Sequence, residues 1–106
     1  QFNRRIQGRQ LMVTIIGNKI IIDSSRATLD DKSSFEQAVN TIIEDGATEI
    51  VVDLSKTVYL PSELLGYLMG KKRALMGKGM DIKIIAISDP LKRVFDEARI
   101  SGFLGV

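Results

Sequence analysis

From Val51 to Gly66 the chain reads Val-Val-Asp-Leu-Ser-Lys-Thr-Val-Tyr-Leu-Pro-Ser-Glu-Leu-Leu-Gly, and this junction constrains the fold more than any other stretch. An apolar, β-branched run ends in a short turn, and the turn hands over to apolar residues at helical spacing. A strand that runs into a helix in this way belongs to an α/β layer architecture. The turn also delivers Ser62 to the start of the helix. Unpaired amide donors and the positive end of the macrodipole stabilise an anion there. A serine in that place is either a silent cap or an acceptor for a phosphoryl group that changes the charge of the surface.

The rest of the chain supplies compatible elements. Leu11–Ile16 and Lys19–Ile22 are β-branched runs separated by Gly17-Asn18, a two-residue hairpin signal. Ser33 with Glu36 three residues later reads as a capping box before a helix carrying Phe35, Val39, Ile42 and Ile43, and Gly46 stops that helix. Ile50–Leu54 is apolar at nearly every position, as expected of a strand covered on both faces. A second helix is expected from about Ser62 to Met76, and Ile82–Ile87 reads as another central strand. Asp89-Pro90 caps a third helix that places Leu91, Val94, Phe95 and Ala98 inward and closes near Ser101-Gly102. The expected fold is a mixed β-sheet layered by helices, in one domain spanning residues 1–106. Leu64, Leu65 and Leu68 should be buried against Ile50, Val52 and Ile84, with Lys71 and Lys78 in water.

Composition narrows the chemistry. The 106 residues are 44% hydrophobic, enough for one modest core, and no apolar run approaches the length of a bilayer span. With no cysteine and no histidine, the chain lacks thiolate nucleophiles, sulfur ligands, the usual neutral-pH base and the commonest metal ligand. A net charge of +2 is too small to argue for nucleic acid. The start at Gln1 is read as a trimmed or processed terminus. Arg4, Arg5 and Arg9 form a basic arm, and Lys71, Lys72 and Arg73 spread around the second helix as a solvated surface. Gly66 and Gly70 lie one turn apart and offer a small-residue face for close approach by a neighbour.

Three stretches, in order, resemble the STAS domain, the fold of bacterial anti-sigma-factor antagonists and of the cytoplasmic tails of sulfate transporters. Thr28-Leu29-Asp30 with the Phe35 helix is similar to that family's first strand-to-helix junction. Ile50–Ser55 through Leu65-Gly66 resembles its central strand and phosphorylation loop. Ala86-Ile87-Ser88 through Leu91-Lys92-Arg93-Val94-Phe95-Asp96 looks like its last strand and following helix. The family's loop reads Asp-Ser-Ser/Thr/Ala-Gly, and the matching residues here are Pro61-Ser62-Glu63-Leu64. The resemblance therefore implies that Ser62 is the phosphoacceptor and that Asp30 is the acidic residue beside it. Pro61, Glu63 and Leu64 depart from the pattern, and the family generally adds a further strand and helix.

Each site residue keeps a second reading. On its residues alone Ser62 reads first as a silent cap, and Glu63 as a complement to the dipole before an imitation of a permanent phosphate. Pro61 sets the φ of the turn. Tyr67 is an interface anchor beside the loop or a core residue. The implied function is a non-catalytic, cytoplasmic interaction module. It docks through Asp30, Ser62, Glu63 and Tyr67 onto a kinase-fold anti-sigma factor, without cofactor, metal, nucleic acid or membrane insertion, and Ser62 phosphorylation weakens the contact. The alternative is an accessory module that senses a nucleotide or lipid for a transport or signalling assembly. An enzyme is the third reading, with Asp30 and Glu63 as the acid pair that it would need. A docking module should present these residues as one exposed, convex patch, since Pro61 and Leu64 replace the small residues that would open a pocket.

Overall fold

The computed structural model describes residues 12–106. The hairpin β1 (Val13–Ile16) and β2 (Lys19–Ile22) opens the sheet and is followed by α1 (Leu29–Glu44), β3 (Glu49–Leu54) and α2 (Ser62–Met76). β4 (Asp81–Ile87), α3 (Asp89–Glu97) and the single turn α4 (Ser101–Leu104) complete the chain. The arms of the expected basic N-terminus, Arg4, Arg5 and Arg9, and the residue Leu11 lie outside the described residues.

The sheet order is β1-β2-β3-β4, with the hairpin antiparallel and β2, β3 and β4 parallel. β4 is thus an edge strand and not a central one. Both crossovers step the same way across the sheet. Right-handed crossovers that do so place their helices on one face. Burial follows this geometry: Ile20, Ile22, Ile50, Val52, Leu54, Ile82 and Ile84 are buried towards the helices. On the opposite face Val51 and Asp53 are half-buried, Lys83 is exposed, and Ile85 at the β-bulge is 52% exposed. The run Ile50–Leu54 is therefore covered on one face, because an all-apolar pattern does not by itself say how many faces receive a helix.

α1 packs on β1 and β2, and α2 packs on β4. Phe35, Val39 and Ile42 of α1, Leu64, Leu68 and Leu75 of α2, and Leu91 and Phe95 of α3 join the strand residues in one core cluster. Leu65 is only partly buried, so the inward face of α2 is narrower than the leucine run suggests. Lys78 is exposed, Lys71 is half-buried, and Lys72 is buried instead of solvated. The Lys72 Nζ donates to Asp81 Oδ1 at 2.8 Å and to the Ile82 carbonyl at 2.9 Å. Gly66 and Gly70 are exposed, and among the described residues a Cβ at either position would meet nothing within 4 Å, so no described neighbour uses them for close approach.

Helix ends differ from the sequence expectation in three places, one of them the end of α3 at Glu97, short of Ser101-Gly102, where the separate turn α4 begins. α1 begins at Leu29, four residues before Ser33, because Thr28 and Asp31 already form a reciprocal capping box. α3 is capped by Ser88, whose hydroxyl accepts from the Leu91 N–H, with Asp89 and Pro90 already inside the first turn. Gly46 does end α1. Its φ is +95°, its N–H donates to Ile43, and the Ala47 N–H donates to Ile42, the paired closure that a left-handed glycine permits.

Candidate functional site

β2, β3 and β4 each lead into a helix, so the N-termini of α1, α2 and α3 gather at the carboxyl end of the parallel strands. In open α/β sheets ligands bind at this end, in the crevice where the strand order reverses. Here the order runs one way only, so the described strands form no such switch-point crevice.

Two of the loops between strand and helix are stitched together. The Val58 and Tyr59 N–H groups donate to the Ser25 carbonyl at 2.7 and 3.3 Å, and the Ala27 N–H donates to the Tyr59 carbonyl at 3.0 Å. Arg26 stacks over the Tyr59 ring, 4.7 Å from its centroid, and Lys56 pairs with Asp23 at 3.3 Å. The fully buried Thr57 is the central tie. Its hydroxyl lies 3.1 Å from the Ile22 carbonyl and 2.9 Å from the Ser24 carbonyl, and one proton serves both. The Thr57 carbonyl accepts from the Ser88 hydroxyl, which brings the start of α3 into the same network. Below Thr57, the Ser24 hydroxyl donates to Asp31 Oδ2 at 2.9 Å, the carboxylate oxygen that also accepts from the Thr28 N–H. At the end of β3, burial works against ionisation of Asp53. The two bonds from Ser55, with Lys19 and Lys56 nearby, outweigh it and hold the carboxyl below its usual value.

Ser62 is the first residue of α2, exposed, and makes no capping hydrogen bond. Pro61 stands at the N-cap with φ −67° and ψ 152°, and its carbonyl accepts from the Leu64 and Leu65 N–H groups. The cap reading of Ser62 is thereby excluded: the serine falls one position too late to cap, and the proline ahead of it sets the entry into the helix. Glu63 is exposed in the first turn, where its charge complements the dipole. Asp30 is exposed in the first turn of α1, not in a loop, while its neighbour Asp31 is buried as the partner of the cap. Tyr67 is half-buried, with its ring edge-on to Phe35 at 6.0 Å between centroids. Burial and the Glu36 carboxylate push its phenol above the ordinary value.

Beside Ser62 lies a groove of about 180 Å³ that the sequence reading did not anticipate. Val58, Tyr59 and Leu60 of the loop, Leu65 of α2, and Val94 and Phe95 of α3 line it. Ser62 and Glu63 are thus exposed at the start of α2 beside a surface that is concave and apolar where a convex one was expected, and Asp30 is exposed on α1. One signal in the sequence pointed there, the apolar pair Val58-Tyr59 inside a loop; Val94 and Ala98, expected inward, are exposed, because Leu91 and Phe95 alone fill the inward positions of α3. Among the described residues no group of acidic side chains clusters as a metal site, and no helix is long and apolar enough to cross a membrane. No family model matches the chain, and no curated protein matches it either.

Proposed function

We propose that this domain is a non-catalytic, cytoplasmic interaction module of STAS type, which docks on a kinase-fold anti-sigma factor as anti-sigma-factor antagonists do. The observation that carries the reading is Ser62: an exposed hydroxyl at a helix start without a side-chain cap, directly after a loop that hydrogen bonds from Thr57, Val58 and Tyr59 tie to its neighbour. Such a hydroxyl is accessible to a kinase, and the phosphate it accepts adds charge and bulk at the contact. Asp30 and Glu63 flank the docking surface on the first turns of α1 and α2. The reading as a nucleotide or lipid sensor has less support, because the groove beside Ser62 is smaller than the roughly 300–1,000 Å³ of small-molecule sites.

The test pairs the chain with a kinase-fold anti-sigma factor and ATP. Mass spectrometry should locate the phosphate on Ser62. In calorimetric titration Ser62→Asp should bind about tenfold more weakly than the unmodified chain, near 1.4 kcal/mol, and Ser62→Ala should bind as well as it does. Equal affinity for Ser62→Asp, or phosphate on another residue, sinks the switch.

A further inference from the structure

Seven large hydrophobic side chains are exposed among the described residues, and three of them, Val58, Tyr59 and Val94, converge on the groove beside Ser62. Exposed apolar side chains gathered in one concavity mark an interaction site more often than a surface accident. The dimensions and lining select the occupant. The groove, about 180 Å³, has room for a branched aliphatic side chain, and its walls offer no convergent polar groups to orient a small polar ligand. Those walls are a loop and two helices, with no strand edge on which an extended peptide could add a strand.

Charge at the rim selects the rest. The Arg26 guanidinium is held against the Tyr59 ring and forms no ion pair among the described residues. A guanidinium placed on an aromatic face at the edge of an apolar groove is ready to receive a carboxylate. Leu65 lies one helical turn from Ser62, so the groove and the exposed hydroxyl share a border.

We propose that the groove receives an amphipathic helix of a protein partner. The helix presents a leucine or isoleucine with an aspartate or glutamate one turn away. The aliphatic group enters between Tyr59 and Val94, and the carboxylate meets Arg26. This inference rests on the interaction-module reading and adds the contact chemistry of the partner.

The experiment selects a displayed library of randomised amphipathic helices on the full chain and measures the enriched peptides by fluorescence anisotropy. Val94→Glu is the control, since Val94 is 49% exposed and the substitution leaves the core intact. Enriched peptides should carry the aliphatic and acidic pair and bind Val94→Glu at least about tenfold more weakly. Arg26→Ala should remove the preference for the acid and leave the aliphatic preference in place. No enrichment, peptides without the pair, or undiminished binding to Val94→Glu overturns the proposal. So does self-association of the chain in sedimentation equilibrium that Val94→Glu abolishes, which would assign the groove to a second copy. The two readings fail separately. If the kinase-fold protein responds to Ser62→Asp but ignores Val94→Glu, the groove falls and the module stands. If peptides fill the groove and the kinase-fold protein is indifferent to Ser62→Asp, the switch falls alone.

Discussion

Thr57 holds the candidate surface together, and its side chain is one methyl and one hydroxyl. The methyl occupies fully buried space, and the hydroxyl proton is shared between the ends of β2 and the loop that follows it. Thr57→Val keeps the shape and leaves the Ile22 and Ser24 carbonyls without that donor. Unsatisfied buried polar groups cost about 1–3 kcal/mol each, so chemical denaturation should register a loss within that range. Hydrogen exchange locates the effect: the Val58 and Tyr59 amides, bonded to Ser25, should exchange faster while the β3 amides stay protected. Uniform loss of protection across the sheet would show that Thr57 supports the core and not the loops.

At the scale of an element, α2 combines two roles through its two ends. Its start presents Ser62 and Glu63, and its body anchors the helix by a charge inside the fold. The Lys72 ammonium reaches Asp81 and the Ile82 carbonyl across the edge of β4 and lies 5.9 Å from the centroid of the Phe103 ring. Burial raises the pKa of Asp81, but the bonds from Lys72 and from the Ile82 N–H, together with the charges of Lys72 and Lys83, overcome this and lower it below its usual value. A carboxylate with a lowered folded-state pKa stabilises the fold above its unfolded pKa, about 3.9, and the contribution is lost as pH falls through the folded value. Stability followed by thermal melts should therefore drop as pH falls below about 4. Lys72→Met, which keeps the bulk and removes the charge, should make this acid-side drop shallower. An identical pH profile in the variant would deny the ion pair its role.

At the scale of the whole molecule, the helices occupy one face of the sheet and leave the other open. Neighbouring positions on β4 report the two sides: Ile84 is 7% exposed and Ile85 is 52% exposed. Ile84→Ala should cost about 2–5 kcal/mol, as buried aliphatic truncations do. Ile85→Lys should change stability by no more than about 0.5 kcal/mol, as surface substitutions do. A large loss at Ile85 in denaturant titrations would mean that something covers the open face. The same asymmetry corrects the view of α2, where Leu64 and Leu68 carry the packing and Leu65 serves the groove.

Element identities were legible in the sequence because local patterns decide them. The Gly17-Asn18 turn, the stripe of Phe35, Val39 and Ile42, the Gly46 stop and the run from Val51 into Ser62 each depend on neighbours a few residues away. The α/β layer and the exposed start of α2 follow from those patterns. The number of faces a strand buries, the edge position of β4 and the burial of Lys72 depend on which way the chain crosses the sheet, and a one-sided crossover leaves no local mark. The start of α1 was misplaced because two capping boxes compete within six residues, and Asp31 takes the one that also reaches Ser24. The groove is the most tertiary feature of all. Val58, Tyr59, Leu65 and Val94 come from three separate segments, and the shared core together with the bond from Ser88 to the Thr57 carbonyl brings those segments to one place.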